Sequence, residues 1–255
     1  MPSKRPAIIA AISVSALAVV AVGAFFLLTP RVSTDGPMPD PVGDAPTYAA
    51  PATLPPLSDA RLPGQIATRP DAEWLAVTAE STGIPLRALA AYAGAAWTKN
   101  EELPSCGLSW NTLAAIGWVE SRHGTHGGSS IGADGTVSPP IYGVILDGGT
   151  TANIPDSDEG EYDGLDDIDR AVGPMQFIPQ AAKNWLGDAN ADGVKDVQNI
   201  DDAAMAASHY LCRAGGDLVS ETGWRTAIGA YNSAPSYLLK VAAKAVEYGD
   251  AATAG

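Results

Sequence analysis

Residues 109–124, SWNTLAAIGWVESRHG, constrain this chain more than any other stretch, because they read as a helix with almost no polar side. At about 100° per residue, Trp110, Leu113, Ile116 and Gly117 share one face, while Ala114, Ala115, Trp118 and Val119 fill the others. A helix apolar nearly all round must be enclosed on nearly all sides, so other helices have to be packed about it. Its ends are marked. Ser109 suits the N-cap, Arg122 and His123 suit the negative end, and Gly124 suits a left-handed stop. Glu120 falls between Leu113 and Ile116 on the buried face. A salt bridge, a misread face or a working acid would each explain a carboxylate there. No Lys or Arg lies within helical reach on its N-terminal side, and Arg122, two positions on, points elsewhere. Desolvation would raise its pKa toward the range of a general acid. Pattern alone leaves a structural carboxylate and a catalytic one both open.

A chain of 255 residues has room for one substantial domain with accessory segments. Its net charge of −14 argues against nucleic-acid binding, which needs a basic surface. Near the start, Lys4 and Arg5 precede an uncharged run from Ala7 to Leu28 that is long enough to cross a bilayer. The run ends in Phe-Phe-Leu-Leu-Thr-Pro rather than an A-x-A-like cleavage site, so residues 1–28 are expected to be an uncleaved signal anchor, with a cleaved signal peptide as the rival. In either case the remainder is exported, and the anchor would place it on the outer face of the membrane. Export favours pairing of the two cysteines, Cys106 and Cys212.

Prolines recur through 29–70 without helical or alternating pattern, from Pro37 to Pro63, which predicts an extended linker. The domain is then expected from about Asp71 to Gly249, with 250–255 as a tail. Helices are predicted around Trp74–Ala79, over Leu86–Trp97, over the Glu120 stretch, over Pro179–Leu186, over Asp201–Arg213, over Trp224–Tyr231 and from Pro235. Residues 124–172 are irregular, with one β-like segment, Ile141–Leu146, and an acidic tract, Asp156–Asp169, most simply read as a solvated face, with a metal role as the alternative. The class is mainly α, a single helical domain with a small irregular or β lobe.

Asp188, Asn190, Asp192 and Asp196 stand at the first, third, fifth and ninth positions of an EF-hand-like loop, with Gly193 at the sixth and the Val194 carbonyl at the seventh. This spacing wraps one small cation in oxygens from alternate residues, so calcium is the expected ion. The twelfth position is Asn199 instead of Glu; Asp202 could supply the missing carboxylate from a longer loop. A plain Asp/Asn/Gly turn is the alternative. Gly128, Ser130 and Gly132 fit G-x-S-x-G but lack the strand and helix that such an elbow needs. His123 and His126 have no third ligand at zinc spacing.

Together GWVESRHG, AVGPMQFIP, the calcium-like loop and AIGAYNSA resemble, in order and spacing, the exported lytic transglycosylases of the membrane-bound lytic transglycosylase B type, and more distantly the goose-type lysozymes. The resemblance spans about 71–249. It implies a lysozyme-like α+β fold and cleavage of the β-1,4 bond between N-acetylmuramic acid and N-acetylglucosamine in peptidoglycan. It also implies Glu120 as single acid/base, Gln176, Tyr231 and Asn232 beside it, and a calcium loop closed by a later carboxylate, matching Asp202. Ser121 and Arg122 are further candidates for cleft contacts. A monomer is expected, with peptidoglycan strands and the membrane as partners. Two other readings stay open: a hydrolytic muramidase using an aspartate such as Asp169 as base, and a catalytically silent wall-binding scaffold.

Overall fold

The computed structural model describes residues 45–149 and 151–253. At its centre is α3 (Trp110–Ser121), in which every residue from Trp110 to Gly117 is buried. Around it stand α2 (Leu86–Glu102) and α7 (Pro235–Thr253), with α5 (Ile200–Gly215) against α2 and α6 (Glu221–Tyr231) against α5. Small side chains allow this close assembly. Ala88, Ala91, Ala93 and Ala95 of α2 and Ala203, Ala204, Ala206 and Ala207 of α5 are all fully enclosed. Gly117 is required for the same reason: a Cβ there would lie 2.0 Å from the Tyr92 hydroxyl. Two shorter helices, α1 (Ala72–Thr82) and α4 (Pro179–Trp185), complete seven among the described residues. Asp71 caps α1 by accepting from the Glu73 and Trp74 amides, and Gly83 ends it in the left-handed region.

The buried polar groups of α3 are paired. Trp224 of α6 donates its indole N–H to Thr112 Oγ1 at 3.0 Å, and Asn111 donates to the Ala245 carbonyl of α7 at 3.1 Å. The end of α3 differs in detail from its sequence reading. The left-handed turn begins at Arg122 and His123 (φ 53° and 59°) before reaching Gly124. His123 is buried there between two tyrosines, Nδ1 at 3.3 Å from Tyr92 Oη and Nε2 at 2.8 Å from Tyr248 Oη.

Residues 45–70 correct the expectation of an extended linker reaching to residue 70. They lie on the helices: Ala49 is buried, Trp97 donates to the Pro55 carbonyl at 2.7 Å, and Trp110 donates to the Thr53 carbonyl. The physical reason is donor satisfaction. Indole and amide N–H groups emerging from α2 and α3 need acceptors, and an extended proline-rich backbone has unused carbonyls to offer. The expected anchor at 1–28, and the linker up to residue 44, lie outside the described residues. Among the described residues no helix is long and apolar enough to cross a membrane.

The irregular lobe holds two small antiparallel sheets. One pairs β1 (Ser130–Ile131) with β2 (Val137–Ser138); the other pairs β3 (Tyr142–Ile145) with β4 (Arg170–Val172), the register shifting between Tyr142↔Val172 and Ile145↔Arg170. The Ser130 motif therefore sits on a two-residue strand after a short turn, with no elbow into a helix. Cys106, ahead of α3, is bonded to Cys212 of α5.

Candidate active site

Glu120 sits in the last turn of α3, where an open cavity of about 740 Å³ meets the helix end. The cavity is walled by Leu146 and Ile154 of the irregular lobe, by Gln176 and Phe177, and by Tyr231 with Asn232 at the end of α6. Four residues singled out in the sequence thus line one cleft: Glu120, Gln176, Tyr231 and Asn232. Gln176 owes its position to a left-handed backbone (φ 50°) in the turn after β4, and its Nε2 donates to the Gly173 carbonyl at 2.9 Å. Its amide oxygen faces Gly143, where an added Cβ would come within 2.5 Å of it. Tyr231 donates to the Met175 carbonyl at 2.8 Å, holding α6 to the Gln176 turn. Asn232 Oδ1 accepts from the Ala234 amide, bending the chain into α7.

Tyr237, in the first turn of α7, is the residue that sequence reasoning missed. Its hydroxyl donates to Glu120 Oε1 at 2.5 Å, and its ring stacks on Tyr231 with 7° between the planes. Helical periodicity puts it on an apolar face with Val241, Ala245 and Tyr248, and all four are buried; no spacing rule tells a packing tyrosine from one whose hydroxyl reaches an acid. Burial raises the Glu120 pKa from 4.5 to about 7, and the Tyr237 hydrogen bond opposes this more weakly. No basic side chain enters among its causes, so the salt-bridge explanation of the buried carboxylate falls away. Burial and the Glu120 charge push the Tyr237 hydroxyl well up, so it stays a donor.

Ser121 and Arg122 do not line the cavity, which corrects their assignment as cleft contacts. Ser121 is buried, with Oγ donating to the Pro174 carbonyl at 2.6 Å and accepting from the Gly124 amide at 2.7 Å. It ties the end of α3 to the Gly173–Gln176 turn, and so aligns Glu120 with Gln176. The Arg122 guanidinium lies 3.7 Å from the Trp118 ring centroid and donates to the Trp118 carbonyl. Asp169 is fully buried and away from the cavity lining, its two oxygens accepting from the Ser157 amide and hydroxyl.

The loop 188–202 is closed on its own backbone. Asp188 accepts from the Asp192 and Gly193 amides, Asp192 from the Val194 amide, and Asp196 from the Gln198 amide. Asn190 donates to Asp192 Oδ2. Asp202, fully buried, accepts from the Ala189 and Asp196 amides, and burial pushes its pKa up to about 6, with Asp188 and Asp192 adding to the rise. The donor chemistry fits a hard cation, and the like charge of Asp188, Asp192 and Asp202 is what such an ion would neutralise. In geometry, no three of these carboxylates bring oxygens within 4.8 Å of one another.

The chain is thus a helical, lysozyme-like α+β domain with a buried carboxyl, raised to about 7, at the edge of an open cleft. The family model described as Transglycosylase SLT domain matches residues 96–253, from the middle of α2 to the end of α7, and the chain belongs to that family. At the level of the family this makes it a peptidoglycan lytic transglycosylase with peptidoglycan as substrate. No curated protein and no solved structure matches the chain significantly.

Proposed function

We propose that the protein is a lytic transglycosylase of the B type that cleaves the β-1,4 bond between N-acetylmuramic acid and N-acetylglucosamine without water, using Glu120 as the only acid/base. The observation that carries this is the Glu120 carboxyl itself, raised to about 7 by burial while opening onto the cleft. Tyr237 donates to Oε1, which leaves Oε2 to hold the transferable proton. As the glycosidic bond breaks, that proton goes to the leaving oxygen. The substrate's own N-acetyl carbonyl stabilises the oxocarbenium-like centre, which removes the need for a second protein carboxylate. Ionised Glu120 then takes the proton from the muramyl C6 hydroxyl, whose oxygen closes on C1 as a 1,6-anhydro ring. The Glu120 proton is thereby restored and no water is consumed.

In this reading Gln176 and Asn232 bind sugar polar groups, while Tyr231 offers an apolar surface in the cleft wall for a pyranose ring, backed from inside by the buried Tyr237. A hydrolytic route would need a base to activate water; Asp169, one candidate from the acidic tract, is enclosed and engaged with Ser157, and Glu120 is the only carboxylate among the described residues lining the cleft. A silent scaffold would have no use for an acid raised into the neutral range beside an open cleft. Calcium in the loop formed by Asp188, Asn190, Asp192, the Val194 carbonyl, Asp196 and Asp202 would hold α5 to the end of α4, a structural role remote from the bond cleaved. The enzyme would work as a monomer, anchored through residues 1–28 on the wall side of the membrane. The test is digestion of purified peptidoglycan by the wild type and by Glu120→Gln. Soluble muropeptides from the wild type alone support the assignment, and their release by the variant contradicts it.

A further inference from the structure

The acidic tract of the irregular lobe is only in part the solvated face that its composition suggests: Glu159, Glu161, Asp166 and Asp167 are exposed, but other members are not. Residues 150–170 carry eight acidic side chains and one basic one, Arg170. Asp158 is 6% exposed and Asp169 0%, and with half-buried Asp156 they converge so that one oxygen of each lies within 4.8 Å of the others. Backbone and hydroxyl donors reach most of these oxygens: Asp156 accepts from the Asp158, Glu159 and Gly160 amides, and Asp169 accepts twice from Ser157. Asp158 Oδ2 accepts from the Tyr162 amide, but Asp158 Oδ1 is buried with no hydrogen-bond partner. Arg170 does not neutralise the group. Its guanidinium lies 4.0 Å from the Tyr142 ring centroid and donates to the Asp163 carbonyl, and its Nε meets no acceptor. An acceptor oxygen sealed from water and left unpaired, among converging carboxylates, is costly unless a cation completes it.

We propose that Asp156, Asp158 and Asp169 bind a calcium ion, separate from the 188–202 loop. The donor set is all oxygen and anionic, which selects a hard divalent ion, and Asp156 and Asp158 stand at the alternate spacing that turns two carboxylates toward one centre. The ion has a defined mechanical consequence. Asp169 bonds through its backbone to both Ile154 and Leu146, its amide donating to the Ile154 carbonyl and its carbonyl accepting from the Leu146 amide. Leu146 and Ile154 are walls of the cleft beside Glu120. Calcium at the triad therefore fixes the register of that wall, whatever reaction the cleft performs.

The test is hydrogen exchange, read by mass spectrometry, on the full chain after chelation and again with about 1 mM calcium, the range of extracellular calcium modules. The expected result is roughly tenfold or greater slowing of amides within 154–170, lost in Asp158→Asn and in Asp156→Asn but kept in Asp188→Asn. Asp156→Asn alters a half-buried position and serves if Asp158→Asn fails to fold. Calcium that leaves 154–170 unchanged in the wild type overturns the proposal, as does slowing that survives in Asp156→Asn.

Discussion

Glu120→Gln should make the protein more stable, and increasingly so as pH rises. The carboxyl has a folded pKa of about 7 against an ordinary 4.5. Below pH 4.5 the folded and unfolded chains both hold the proton and nothing is lost. Between those values the unfolded chain releases it first, so folding is penalised progressively, and above about pH 7 the penalty is complete. At about 1.4 kcal/mol per unit the loss reaches about 3 kcal/mol. Gln keeps the shape and still accepts from Tyr237, but carries no charge to bury. The variant should match the wild type near pH 4 and melt roughly 6–12 °C higher at pH 8, given about 2–4 °C per kcal/mol for a domain of this size. Other acids cancel, because each melting curve is compared with the wild type at the same pH. Calorimetry across pH 4–9 reads the difference directly. A gap that does not grow with pH, or a variant less stable at pH 8, would refute the burial of an ionisable Glu120.

Two further outcomes follow from the same structure. Tyr237→Phe removes the hydrogen bond that holds the Glu120 pKa down, so the alkaline limb of the pH–rate profile should move up by as much as about one unit. A profile that stays in place would show that Tyr237 does not contact the working acid. Breaking the Cys106–Cys212 bond, which closes a separation of 106 residues, should lower unfolding stability by up to about 4–5 kcal/mol. Neither cysteine lines the cleft, so folded Cys212→Ser at low temperature should digest peptidoglycan at the wild-type rate.

The helical frame was legible because its signals are local. The all-apolar α3, the Pro235 start of α7 and the Gly83 stop need only periodicity and end chemistry, and each predicted helix appears with its ends moved by a few residues. Proline content marked 45–70 as extended, but composition does not say whether an extended segment's carbonyls are taken up by indoles such as Trp97 and Trp110. The acidic tract misled in the same way. Charge density suggests solvent, whereas Asp158 and Asp169 are turned inward by chain crossings that no local pattern encodes. Within the site, Glu120 stood out because a lone carboxylate interrupts an apolar face. Gln176, Tyr231 and Asn232 came from resemblance rather than pattern, and they line one cleft. Ser121 and Arg122 directly follow the acid in sequence, yet the helix turns Ser121 about 100° away into the core, and the left-handed turn at Arg122 lays its guanidinium on Trp118.

Digestion of peptidoglycan in heavy-oxygen water tests the central claim most directly. If Glu120 serves both half-reactions with the C6 hydroxyl as nucleophile, the muramyl products are one water lighter than hydrolysed ones and carry no label. Labelled reducing ends at muramic acid, formed by the wild type and absent from Glu120→Gln, would show that water attacks and would contradict it.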